Sequence, residues 1–217
     1  MNEIKHHLTD ALLMGYSAGN LPEAFSLVVA THISMCDECR SRMASFDAVG
    51  GELLMDAGTS EMREGSLDAV MAIIAGAAPD PLPSPTRRNF NRTFPEPLQS
   101  YVNCDIGDVK WRKIGGGVSQ LVLSTSGKAT VRLLHIPGGV AVPDHGHRGT
   151  ELTLVLQGAF SDETDRFNVG DIEVANEDLD HQPVAELGVD CICLAATDAP
   201  LKFSGFVPRI AQKFVGI

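Results

Sequence analysis

His32, Cys36 and Cys39 follow one another at offsets of 0, 4 and 7 residues. On a helical path these offsets place three soft side chains along one stripe, where they can meet a single ion. If the helix breaks at Ser34, Cys36 and Cys39 still stand one turn apart at the start of the next helix, whose positive end favours thiolates. A closed structural zinc site takes four ligands, and two cysteines with two histidines is a common set. The fourth ligand would then come from His6 or His7, at the entry to the first helix. Spacing alone does not choose between them.

A second constellation lies in the C-terminal half. Gly139, His145, His147, Glu151 and Gly158 form the pattern G-x5-H-x-H-x3-E-x6-G. His145 and His147 are two apart, so on a strand both project from one face. Glu151 returns along the same sheet after a turn. Two imidazoles and a carboxylate suit zinc, iron, manganese or nickel, and ligand type narrows the choice only weakly. The pattern resembles the first cupin motif. By the same resemblance, Gly170 and Asp171 open the second motif and His181 takes its ligand position. The usual proline-x-glycine is absent from that second motif, and position 185 is alanine where cupins carry asparagine.

Other reactive side chains have plainer readings. His135 and Trp111 fit packing positions, Trp111 in a barrel core, and Cys104 has no partner by spacing. Cys191 and Cys193 fall on one face of a late strand, either as buried thiols or as a redox pair.

The elements that must position these groups change character along the chain. Residues 1–76 read as helical. Thr9 caps a first helix with Leu12, Leu13 and Tyr16 on its apolar face, and Gly19 ends it. Pro22 opens a second helix with the stripe Phe25, Val28, Val29, His32. Ser34 and Asp37 give an S-x-x-D start for a third, carrying Met43, Phe46 and Val49, whose continuation Gly50-Gly51 weakens. Ser66 caps a fourth, with Leu67, Val70, Met71, Ile73 and Ile74 either buried as core or offered to a partner's groove. So small a unit has a thin core, and a metal clip would contribute much of its stability.

Residues 77–97 hold six of the twelve prolines and read as a semi-rigid linker. From 98 to 217 the period drops toward two: VKWRKI, VSQLVLS, ATVRLLHI, ELTLVLQ and CICLAAT read as strands between glycine-rich turns, without clear helices. The expected fold is therefore a small helical metal-binding domain, a linker, and a β-sandwich or small barrel.

Composition bounds the partners. The net charge of −11 argues against nucleic acid, since phosphate binding needs clustered lysine and arginine. No stretch approaches the ~18 apolar residues that span a bilayer. The N-terminal MNEIKHHLTD lacks the basic-then-apolar order of a signal peptide, so the cytosol is the expected compartment. There, five unevenly spaced cysteines point to metal or redox chemistry rather than a disulfide framework.

The run His32-Ile33-Ser34-Met35-Cys36-Asp37-Glu38-Cys39, with a histidine near the N-terminus, resembles the zinc-binding anti-sigma domain. With LPEAFSLVVATH before it and a cupin pattern after it, the chain resembles the ChrR-type anti-sigma factors over nearly its whole length, apart from the linker. The resemblance implies a zinc-binding helical domain plus a C-terminal cupin barrel or jelly roll. It implies His7, rather than His6, as the partner of His32, Cys36 and Cys39 on zinc. It implies His145, His147, Glu151 and His181 as ligands of zinc or another divalent transition metal in the cupin. The implied partner is an extracytoplasmic-function sigma factor, released when the cupin senses singlet oxygen or a related oxidant. Residues 1–76 carry four basic side chains against eleven acidic ones, a net of −7, which suits a DNA-binding partner. The alternative from another class is a metal-dependent cupin enzyme, a dioxygenase or lyase, with an open metal position that activates oxygen or water.

Overall fold

The computed structural model describes residues 3–76 and 94–203. Thr9 caps α1 (Asp10–Ser17) by accepting from the Leu12 amide, and Gly19 turns the chain beyond it with φ +67°. Pro22 is the N-cap of α2 (Glu23–Met35). Its stripe Phe25, Val28, Val29 and His32 is buried, as the helical period requires.

The third helix starts differently from the S-x-x-D expectation. Ser34 lies inside α2 and bonds back to the Thr31 carbonyl. The cap of α3 (Asp37–Asp56) is Cys36, whose sulfur accepts from the Cys39 amide at 3.4 Å. Gly50 and Gly51 do not weaken α3 enough to end it, and it runs on to Asp56. A helical glycine costs about 1 kcal/mol in propensity but removes no backbone hydrogen bond.

The next helix, α4 (Ser66–Gly76), buries none of its residues. Leu67, Val70, Met71, Ile73 and Ile74 are 50–71% exposed, so among the described residues they do not pack as core.

Of the proline-rich segment, residues 77–93, with Pro79, Pro81, Pro83 and Pro85, lie outside the described residues. Its end is structured. Phe94 is buried, and Pro95 caps a further helix, α5 (Glu96–Val102), with Leu98 in the core. No helix is expected here from sequence, where the prolines read as a linker; proline also suits a helix N-terminus, and that is its role at Pro95.

The strands are β1 (Arg112–Gly115), β2 (Val118–Leu123), β3 (Thr130–Ile136), β4 (His145–Gly146), β5 (Glu151–Gln157), β6 (Ala159–Ser161), β7 (Arg166–Asn168), β8 (Ile172–Ala175), β9 (Asp180–His181), β10 (Val184–Ala185), β11 (Cys191–Thr197) and β12 (Lys202–Phe203). VKWRKI pairs only from Arg112 onward. Among the described residues the strands hydrogen-bond as three sheets: β1-β2-β3-β11-β5-β8, β10-β6-β7 and β12-β4-β9.

The large sheet is covered on both faces, which explains the unbroken burial of β5 and β11. Alternate residues go to opposite sides. Leu152, Leu154, Ile192 and Leu194 join a core with Leu8, Leu13, Phe25 and Val28 of the helical segment. Val155, Cys191 and Cys193 join a second core with Phe160 and Phe167. The helix α2 thus lies on β11, β5 and β3, and helices and sheet share one hydrophobic layer. Each fully buried leucine or valine in that layer contributes about 1.5–3 kcal/mol.

Candidate metal centres

The break between α2 and α3 creates the first centre. His32 sits in the last turn of α2, Cys36 at the break and Cys39 one turn into α3. Arg40 Nη1 donates to the Ile33 carbonyl at 2.8 Å and so satisfies the end of α2. His7 arrives from the segment before α1. One donor atom from each of His7, His32, Cys36 and Cys39 lies within 4.8 Å of all the others. His7 Nδ1 is 3.3 Å from the Cys36 sulfur and 3.7 Å from the Cys39 sulfur. Its Nε2 faces Glu38 Oε2 at 3.2 Å, so the ring is held with Nδ1 toward the thiols.

The donor set fits a cation. His32 is completely buried, yet among the described residues neither ring nitrogen has a partner at full hydrogen-bonding geometry, the Gly170 backbone only approaching the ring. Such orphaned groups carry the full desolvation cost, and an ion would remove it. Burial pushes the His32 pKa down to about 4, the Gly170 backbone offsetting this only in part, so the ring is neutral and able to ligate. Burial pushes the Cys39 thiol up to about 11, so a cation that takes this thiolate must displace its proton. Two thiolates and two imidazoles are a tetrahedral set for zinc.

The second centre is assembled by a strand pair. The register of β4 and β9 sets His145 opposite His181, and His147 follows two residues after His145. The Nε2 of His181 lies 3.2 Å from Nε2 of His145 and 3.3 Å from Nε2 of His147, all three rings buried. His145 donates from Nδ1 to the Pro143 carbonyl at 2.8 Å, which leaves its Nε2 lone pair for an ion. Burial lowers the pKa of both His145 and His147, which favours their neutral, ligating form.

Glu151, the expected fourth ligand, lies beside His147. Its Oε2 is 3.6 Å from Nδ1 of His147, on the far edge of that ring, and its Oε1 accepts from the Thr153 hydroxyl at 2.9 Å. At that distance it acts on His147 through its charge rather than through a hydrogen bond, and among the described residues the convergent group is the three histidines.

Two carboxylates that sequence reasoning missed hold His181. Nδ1 of His181 is 2.7 Å from Asp162 Oδ2 and 3.1 Å from Glu173 Oε1, both side chains buried. One N–H serves one acceptor, and the shorter contact is the hydrogen bond. Burial opposes the charge of His181, but Glu173 and Asp162 outweigh it and raise its pKa to about 9. Burial raises Glu173 to about 7, while hydrogen bonds from Glu173, Thr164 and His181 hold Asp162 well below the usual carboxylate range against its own burial. The only sequence signal for Glu173 is a charged residue within the otherwise apolar run of β8. Asp162 lies in an acidic loop with no distinguishing spacing.

The remaining candidates separate cleanly. The sulfurs of Cys191 and Cys193 are buried and 3.5 Å apart, two free thiols in a thiol–thiol hydrogen bond. His135 bonds Asp190 at 2.9 Å, and Trp111, half-buried beside it with ring centroids 5.3 Å apart, packs on the helix side of the sheet rather than in a barrel core. His6 is turned away from the first centre, with Nε2 3.1 Å from Asp165 Oδ2.

Comparison with known proteins follows the same division. Residues 99–199 match the family described as the ChrR cupin-like domain. The chain is 58% identical over 214 residues, 99% of both chains, to the anti-sigma-E factor ChrR of Cereibacter sphaeroides. The chain belongs to the ChrR family. Its fold is also similar to a crystal structure of Rhodobacter sphaeroides SigE in complex with the anti-sigma ChrR, with a TM-score of 0.80 and 58% identity, covering 90% of this chain and 100% of that one. Among the described residues of this ChrR-family protein, no helix is long and apolar enough to cross a membrane.

Proposed function

We infer that the protein is an anti-sigma factor acting in the cytoplasm on an extracytoplasmic-function sigma factor. The observation that carries this reading is likeness over 99% of the chain to a protein named as an anti-sigma factor. The helical part, residues 1–76, grips the sigma factor, with zinc held by His7, His32, Cys36 and Cys39. The apolar face of α4, with Leu67, Val70, Met71 and Ile74, enters the partner. Its complete lack of buried residues supports that role, because so many exposed large apolar side chains in one short helix mark an interaction surface. The net charge of −7 over these residues adds complementarity to a DNA-binding partner.

The cupin part, residues 98–217 beyond the 77–97 linker, holds zinc or another divalent transition metal through His145, His147 and His181, with Glu151 joining the ion or steadying His147. This part senses singlet oxygen or a related oxidant. Its metal-bound imidazoles and the adjacent thiols of Cys191 and Cys193 are oxidisable groups. Loss of the cupin ion lowers the affinity of the helical part for its partner, a change that must amount to several kcal/mol to turn holding into release.

Co-expression with candidate sigma factors tests the reading. A stoichiometric complex is expected, and His32→Ala or Cys36→Ala abolishes it while circular dichroism retains the strand signal. His147→Ala, which removes a ligand of the cupin ion, is expected to weaken the complex before any oxidant is added and to leave no further response to singlet oxygen. An unchanged response overturns the sensor assignment, and no complex with any sigma factor overturns the whole reading.

A further inference from the structure

The two candidate centres are joined by a short path that runs through the buried side chains of Asp171 and Glu173. The segment that delivers His7 is clamped by Asp171: the amides of Lys5 and His6 donate to Asp171 Oδ1 at 2.6 and 3.0 Å. The Ile172 amide donates to the His6 carbonyl at 3.3 Å. The second oxygen of Asp171 accepts from the Asn168 amide at 2.8 Å, which fixes the β7–β8 turn itself. His32 faces the same turn, being influenced by the Gly170 backbone and by the charge of Asp171. On the other side, His7 Nδ1 lies 3.3 Å from the Cys36 sulfur and 3.7 Å from that of Cys39. Residues 5–7 therefore meet the first centre at one end and the β7–β8 turn at the other.

That turn leads directly into the second centre. Glu173 lies two residues after Asp171 and meets Nδ1 of His181, alongside Asp162. The Asp171 side chain has no exposure and that of Glu173 only 6%. Approach at the turn is tight. Gly170 has φ +92°, and a Cβ there would come within 2.6 Å of Ile4 Cδ1. A packed element with two contacts of this kind passes displacement on rather than absorbing it.

We propose that Asp171 and Glu173 couple the two metal centres, so that occupancy of the histidine triad sets how firmly the N-terminal quartet holds its ion. Glu173 and Asp162 are positioning residues for His181, and Asp171 is the positioning residue for His7. By reciprocity, the quartet's ion also favours the triad's. The proposal rests on both groups being metal sites, as the functional reading has it, and goes beyond that reading in naming the route between them.

Cobalt distinguishes the sites, because a thiolate-bound cobalt ion shows sulfur-to-metal charge-transfer absorption that a nitrogen-ligated one lacks. Full-length protein is loaded with cobalt, its metal content is measured, and loss of the charge-transfer band to excess chelator is followed. His147→Ala, which empties the triad without touching the path, is expected to lose the thiolate-bound ion about fivefold faster or more. Glu173→Gln is expected to speed that loss in the same direction. In an Asp171→Asn background the effect of His147→Ala should shrink toward nothing. Equal rates in wild type and His147→Ala, with both sites shown to load in wild type, overturn the coupling alone. Absence of any thiolate-bound ion overturns the metal reading with it. Should Asp171→Asn fail to fold, hydrogen exchange at the Ile172 amide in wild type and His147→Ala decides: faster exchange in the variant supports the route, and identical exchange removes it.

Discussion

Glu38 Oε2 sits 3.2 Å from Nε2 of His7, with the thiols of Cys36 and Cys39 on the opposite edge of the same ring. A carboxylate behind a ligating imidazole fixes its tautomer and raises its basicity. Glu38→Gln should therefore weaken zinc at the quartet by about tenfold, the lower end of such effects because Glu38 is more than half exposed. Competition against a chromophoric chelator reads this directly.

His32 predicts an acid limit for the metal-free protein. Its folded pKa is about 4, below the ordinary 6.5. The unfolded chain therefore binds the proton first as pH falls. The stability this ring contributes is intact above pH 6.5 and is lost as pH drops toward about 4. The shift corresponds to about 3 kcal/mol. Urea titrations of chelator-treated protein between these limits should show the loss, and a His32→Asn variant should show less of it.

Gly170 occupies a backbone region that side chains rarely adopt, at φ +92° against Ile4. Gly170→Ala should cost about 1–3 kcal/mol. At about 2–4 °C per kcal/mol for a chain of this size, the drop in Tm is easily resolved by calorimetry.

The α4 face makes the opposite prediction. Met71→Glu or Ile74→Asp changes a residue that is more than half exposed, so Tm should move by no more than about 0.5 kcal/mol equivalent. The same substitutions should weaken a sigma-factor complex by about 2 kcal/mol or more if this face is the anchor. Fluorescence or calorimetric titration separates the two effects.

What could be read from sequence followed from local periodicity. His32, Cys36 and Cys39 are one helical stripe interrupted by a single residue, and His145 and His147 share a strand face, so their offsets carry the geometry. The strands with fixed apolar runs, such as ELTLVL and CICLAA, were equally visible. Other features depend on which segments meet in space. Asp162 and Glu173 reach His181 only through the pairing of β4 with β9 and the return of β8. Glu151 matches its motif in spacing, yet its side chain goes to Thr153 and the far edge of His147. Cys36 replaced Ser34 as the cap because sulfur can accept an amide, a role that serine-based start signals do not encode. The α4 stripe is equally apolar in either of its readings, and only the fold distinguishes an open face from a filled one.

The placement of α2 bears on how such proteins could be recombined. One side of this helix supplies His32 to the metal quartet, while its buried residues rest on Leu152, Leu154, Ile192 and Leu194 of the large sheet. A graft of the helical half onto a foreign receiver would leave that seam bare and greasy. A workable chimera would have to import the four sheet residues along with the helix, or replace them with a surface of matching shape.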